Sequence, residues 1–254
     1  MNTLTSTDGT TIAYDRAGTG PAIVFVAGAF NDRATLAPLA DALAGDFTVV
    51  TYDRRARGDS GDTKPWSIDR EAEDLDALIA EVGGSAHVFG FSSGGILALH
   101  AAARGSAIAR VVCYEPPYPF GEGNAPDLPA RLGALVDAGR RGDAVELFQT
   151  EAIGLPPEVV SQIRRSPMFP ALEAMAQSVV YDSTISTGSA PPATLTTPTL
   201  VISGAQTWPK LTRSAARTAA ALPKARHVEV PGGPRHTIEP EVTAPVVAEF
   251  VREG

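Results

Sequence analysis

The chain has 254 residues, 44% hydrophobic and 20% charged, a balance that excludes a disordered or membrane-spanning class. Its 21 basic and 29 acidic residues leave a formal net charge of −8, which argues against non-specific nucleic-acid binding. The single cysteine, Cys113, excludes an internal disulfide framework and any CxxC-type zinc or redox site.

The opening MNTLTSTDGT lacks the basic start and apolar run of a signal peptide. Apolar runs such as AIVFVAGAF stop short of the ~20 residues that a membrane span needs. The expectation is a cytoplasmic protein with neither a membrane nor a nucleic-acid partner, working as a monomer or homodimer.

In chain order the hydrophobic pattern reads strand 11–14 (TIAY), strand 22–26 (AIVFV), helix 33–44, strand 47–52 and helix 68–82. It continues with strand 86–91 (AHVFGF), helix 94–103 and strand 108–114 (IARVVCY), then, after a break, strand 198–203, helix 211–221, strand 225–230 and helix 242–252. AIVFV, RVVCY and TLVIS are apolar without alternation, as strands covered on both faces are. Alternating strands and helices predict an α/β fold with a mostly parallel central sheet flanked by helices. The alternation stops over 116–196, between PPYPFGEGNAP and STGSAPPATLTTP. Helical spacing there, at 128–138, 143–152, 157–165 and 170–182, predicts a helical cap inserted into a core formed by 1–115 and 197–254.

Gly90-Phe91-Ser92-Ser93-Gly94 is a G-x-S-x-G pentad that closes one strand run and opens a helical one. A sharp strand-to-helix turn pushes a serine hydroxyl out of the sheet, and the new helix offers N–H groups to developing negative charge. Ser92 is thereby the candidate nucleophile. Ser93→Ala, which keeps its backbone N–H, is expected to be a mild control.

With this pentad in place, the chain resembles the α/β-hydrolase fold superfamily over nearly its whole length. AIVFVAGAF resembles the family's strand and oxyanion loop, with Ala27-Gly28 where a histidine-glycine pair is usual. YDRRARGDSGD resembles the Y-D-x-R-G-x-G-x-S turn after the next strand. The resemblance implies oxyanion-hole donors at the backbone N–H groups of Ala29 and Ser93. Phe30, next to Ala29, and Trp208, in the loop after TLVIS, read as substrate-pocket positions, the alternative being core or cap-packing aromatics.

It also implies a catalytic histidine in the loop before the last helix, where His236 lies in PGGPRHTIEP. His87, His100 and His227 read as structural. In most of the family an acid follows the strand that here reads TLVIS, but the matching position is Thr207, and 183–228 hold no Asp or Glu. Some relatives place the acid after the preceding strand, and IARVVCY ends at Glu115. The implied triad is Ser92, Glu115 and His236, in the Ser…acid…His order of this fold. The alternative is a Glu115 that pins the entry to the cap, leaving His236 to a cap acid such as Asp182 or to no acid.

The leading expectation is a serine hydrolase that cleaves an ester, thioester or lactone of a small to medium apolar molecule, with no cofactor and no metal. The alternatives are a cofactor-free lyase, ring-opening enzyme, cyclase or oxygenase on the same scaffold, or a non-catalytic binding protein. Asp53 and Arg54 read as ties within their turn, and Asp59 and Asp62 as solvated carboxylates. Lys210, Arg213, Arg217, Lys224 and Arg226 read as a solvated basic helix face, the alternative being a docking site for an anionic carrier or partner.

Overall fold

A computed structural model describes every residue except Glu122, Gly233, Pro234 and Gly254. Its sheet has eight strands: β1 (Asn2–Thr5), β2 (Thr11–Ala17), β3 (Ala22–Val26), β4 (Thr48–Tyr52), β5 (Ala86–Phe91), β6 (Ile108–Tyr114), β7 (Thr199–Gly204) and β8 (Ala225–Val230). Their order across the sheet is β1-β2-β4-β3-β5-β6-β7-β8, with β2 antiparallel to both neighbours and every later pairing parallel. All five residues of β3 and of β4 are buried, which is why these runs show no alternation.

Successive side chains of each strand feed opposite layers. Val24 and Val26 join one cluster with residues of α2 (Ile68–Glu81), α3 (Ser93–Arg104) and α9 (Pro209–Ala221). Ile23 and Phe25 join the other, under α1 (Arg33–Leu43) and α10 (Pro240–Arg252). Side-chain caps start two of these helices where the sequence changes period. Asp32 accepts from the Ala34 N–H at 3.0 Å, and Ser67 from the Arg70 N–H at 3.2 Å.

Strand β1 was not among the expected elements. Its residues, NTLT, are largely exposed, so no apolar pattern marks them; backbone pairing with β2 alone makes them a strand.

Between β6 and β7 lies the helical insertion: α4 (Leu128–Asp137), α5 (Arg141–Leu147), α6 (Pro157–Arg164), α7 (Phe169–Ala174) and α8 (Ala176–Thr187). It has its own apolar cluster, which includes Leu128, Leu132, Val145, Phe148, Phe169 and Val179. The helix expected over 143–152 changes pitch into a π-helical segment, Phe148–Ile153, closed by left-handed Gly154. The helix expected over 170–182 is two, broken at Met175, and the second runs on to Thr187. Among the described residues, no helix is long and apolar enough to cross a membrane.

Candidate active site

The strand ends on the carboxyl edge of the sheet carry the expected catalytic residues. Ser92 follows β5 with φ 56° and ψ −125°, a backbone conformation costly for a residue with a side chain. The turn is locked on both sides: the Ser92 N–H donates to Tyr114 O at 2.9 Å and the Gly95 N–H to Ser92 O at 2.9 Å. Ser92 stands at the N-cap position of α3, yet its hydroxyl makes no capping hydrogen bond. The tightness of the turn explains its small residues. A Cβ on Gly94 would lie 2.2 Å from Val26 O, and one on Gly28 would lie 2.8 Å from Ser92 Cβ. Gly28 thus lets the loop after β3 run directly against the serine.

Glu115 follows β6 with φ 51° and has no exposed surface. Its Oε1 accepts from the Gly204 N–H at 2.8 Å, and its Oε2 accepts from Thr207 Oγ1 at 2.9 Å. The same Oε2 meets His236 Nδ1 in a short contact. Thr207 thus donates to Glu115 from the position where the resemblance leads one to look for an acid. His236 is held by its surroundings as well. Its ring stacks on Phe91 at 4.5 Å between centroids, and Tyr114 Oη donates to the carbonyl of the adjacent Thr237 at 3.0 Å. Gly233 and Pro234, earlier in the same loop, lie outside the described residues.

Ser92 and His236 line one cavity of about 220 Å³. Ala29, Ser93 and Trp208 line it too. Phe30 does not. Its ring packs edge-on against Phe148 at 5.4 Å, within the apolar cluster of the insertion, and Phe148 is the ring that reaches the cavity. The π-helical pitch brings Ala152 and Ile153 to the same wall.

Beneath the cavity lies a buried charge cluster that the sequence did not reveal. Arg54, Arg57, Glu71 and Asp182 are all at most 2% exposed. Arg54 binds Glu71 through Nε at 2.6 Å and Nη2 at 2.9 Å, and its Nη1 reaches both Asp182 Oδ1 and Ala27 O at 3.0 Å. Arg57 donates through Nη2 to Asp182 at 2.8 and 2.9 Å, and through Nη1 to Gly28 O at 2.6 Å. Ser93 Oγ donates to Asp182 Oδ1 at 2.7 Å. Two guanidiniums and two carboxyl groups thus balance in charge, as burial demands. Burial by itself pushes the Asp182 carboxyl up, but the Arg57 and Arg54 charges and the Ser93 hydrogen bond outweigh it and hold it below the usual range. Burial, reinforced by the charge of Arg54, pulls Arg57 down.

The remaining candidates tie structure together. Asp53 binds the Arg33 backbone N–H at 2.7 Å and the Asp59 N–H at 2.9 Å, while Asp62 accepts from Tyr181 Oη at 2.8 Å. His100 meets Asp69 at 2.8 Å, and His227 Nε2 meets Ser203 Oγ at 2.9 Å. Asp59 also pairs with Arg33 at 2.7 Å, so neither it nor Asp62 is simply solvated. Among the described residues, no group of three His, Cys, Asp or Glu could hold a metal ion. The basic stretch divides: Lys210, Arg213 and Arg217 line the cavity, whereas Arg226 pairs with Glu253 at 3.0 Å.

A serine on a strand-to-helix turn, lining one cavity with a late-loop histidine that meets a buried acid, on a sheet of this strand order, defines an α/β-hydrolase architecture. The chain belongs to the alpha/beta hydrolase family, whose model matches residues 23–246. It is similar to an alpha/beta hydrolase from Sphaerobacter thermophilus DSM 20745, with 46% identity, 98% of this chain and 100% of that chain covered, and a TM-score of 0.90. The fold is shared with a thermophilic esterase from Thermogutta terrifontis (21% identity, 99% and 98% covered, TM-score 0.69). It is shared also with the enol-lactonase from Burkholderia xenovorans LB400 (23% identity, 99% and 100% covered, TM-score 0.66). An uncharacterized hydrolase of Bacillus subtilis (strain 168), YraK, is 35% identical over 95 residues, which are 36% of this chain and 35% of that relative's length.

The buried cluster adds to the expectation for Ser93. Its hydroxyl is a donor to Asp182, so Ser93→Ala, expected to be mild in rate because the backbone N–H remains, should still cost about 1–3 kcal/mol of folding stability. Asp182→Asn, which leaves two buried guanidiniums short of one charge, should cost about 3–5 kcal/mol at pH 7. A depressed carboxyl contributes stability above its unfolded pKa, roughly 3.9, and loses it as pH falls through its lower folded value. Denaturant unfolding at pH 7 and pH 3 should therefore show the gap between wild type and Asp182→Asn narrowing in acid. A constant gap would contradict the charged pairing.

Proposed function

We propose that the protein is a serine hydrolase acting on an ester, thioester or lactone of a small to medium molecule through an acyl-enzyme. The observation that carries this reading is the contact of the fully buried Glu115 with Nδ1 of His236, a residue that lines the same cavity as Ser92. Glu115 accepts the Nδ1–H, which leaves Nε2 as the base. Nε2 takes the Ser92 proton as Oγ attacks the carbonyl carbon, and returns it to the leaving oxygen or sulfur. Water activated by the same nitrogen then attacks the acyl-enzyme and releases the acid. The Gly204 N–H and Thr207 hydroxyl hold the carboxylate in place while the imidazolium forms.

The backbone N–H groups of Ala29 and Ser93 bind the oxyanion. Support comes from how the neighbouring groups are held. The N–H and C=O of a trans peptide point in opposite directions. With its C=O drawn to Arg57, the Gly28–Ala29 peptide turns its N–H away from that guanidinium, toward the cavity that Ala29 lines. Ser93 begins α3, where N–H groups lack intrahelical partners, and its side chain is fastened to Asp182. Asp182 comes from α8, so residues 116–196 act as a cap that completes the site over the core formed by 1–115 and 197–254. Phe148 and Ile153 of that cap, with Trp208, give the pocket its apolar body.

Kinetics on a panel of 4-nitrophenyl esters and lactones test the assignment. Ser92→Ala should lose at least ~10³-fold in kcat, and Glu115→Gln on the order of 10²–10⁴-fold, both as folded proteins. Full activity in folded Ser92→Ala would end the covalent reading. Full activity in Glu115→Gln would remove Glu115 from the triad.

A further inference from the structure

Helix α9 turns cations toward the cavity. Lys210, Arg213 and Arg217 are spaced i, i+3 and i+7, which puts them on one helix face, and all three line the cavity with Ser92 and His236. Among the described lining residues the one carboxylate is Asp182, whose charge is already met by Arg54 and Arg57. A chain with a net charge of −8 therefore presents a positively charged wall beside its nucleophile.

Two of these cations are braced. The Arg217 guanidinium carbon lies 4.4 Å from the centroid of the Phe120 ring, which orients the group without neutralising it. Lys210 Nζ donates to Ile153 O of the π-helical segment at 2.7 Å, and burial pulls the ammonium below the ordinary lysine value. An anion beside it would offset that desolvation. A further polar group awaits a partner: Ser183, 1% exposed, lines the same cavity, and its hydroxyl has no hydrogen-bond partner among the described residues. Phe91, Trp208 and Phe148 supply the apolar surface between these polar groups.

We propose that the substrate carries a carboxylate at the end remote from the scissile carbonyl, bound by Arg217 and Lys210 of α9, so that the reaction is hydrolysis of a half-ester or carboxylated lactone. The planar fork of Arg217 suits the two oxygens of a carboxylate, and the ammonium of Lys210 supplies a second positive charge. The apolar lining takes the short chain between the two ends. This assignment rests on the serine-hydrolase reading for its chemistry, but the binding of the anion does not depend on it.

The test compares the 4-nitrophenyl half-ester of glutarate with the same compound methylated at its free carboxylate. The half-ester should have the higher kcat/KM by about 10-fold or more at low ionic strength, the scale of one charge-assisted contact, with the advantage shrinking in salt. In Arg217→Gln the ratio of the two kcat/KM values should fall about 10-fold. Arg226→Gln, on β8 and paired with Glu253, should leave the ratio where it was. Equal kcat/KM values in wild type, or a ratio unmoved by Arg217→Gln, overturn the proposal while leaving the hydrolase reading intact. If neither ester is turned over, calorimetry with monomethyl glutarate and dimethyl glutarate reads the subsite alone. Tighter binding of the anion that is lost in Arg217→Gln supports the carboxylate site and counts against the hydrolase reading; equal binding overturns the site.

Discussion

A carboxyl group with no exposed surface needs a partner for every oxygen, and Glu115 finds its partners on two other pieces of chain. It rises from the end of β6, accepts from the end of β7 and from Thr207 beyond it, and meets His236 in the loop after β8. The spacing of the three strands, fixed by their parallel ladders, is what brings those groups within reach of one side chain. Tyr114, the residue before Glu115, ties the histidine loop down from the same strand end. The candidate catalytic geometry is in this sense a property of the sheet's carboxyl edge, where loops from neighbouring strands converge.

The second constraint is the paired charge under the loop after β3. Arg54 and Arg57 come from the turn after β4, Glu71 from α2 and Asp182 from α8. Through Ala27 O, Gly28 O and Ser93 Oγ the cluster grips both sides of Ser92. Such a cluster is costly to bury and costly to break, so its worth lies in holding one arrangement of those backbones rather than in net stability. It also makes the helical insertion part of the site's foundation, because Asp182 is the group on which both arginines meet.

The sheet was legible from sequence because buried parallel strands write themselves as short apolar runs. The edge strand β1 was not, since backbone pairing defines it without any apolar pattern. The readings of Ser92 and His236 rested on local context: one lies in a strand–turn–helix pentad, the other in a turn-rich loop before the final helix. Glu115 emerged from the absence of an acid near Thr207, and the structure adds that the threonine hydroxyl serves Glu115 from that place. The pairing of Asp182 with two arginines was beyond reach. Arg54 and Arg57 lie 128 and 125 residues away, and nothing local in α8 distinguishes a buried acid from a solvated one. The basic face of α9 was visible as a helical stripe, but a stripe does not say whether water or a cavity lies opposite. Phe30 failed for a similar reason: adjacency to Ala29 in sequence gave no direction for its ring, which turns into the insertion.

The central claim is that Ser92 Oγ is the group that forms the covalent bond. Labelling the folded protein with a fluorophosphonate and mapping the adduct by peptide mass spectrometry tests it most directly. One adduct per chain is expected, on Ser92, forming far more slowly in Glu115→Gln. A folded protein that stays unlabelled, or an adduct on any other residue, would contradict it.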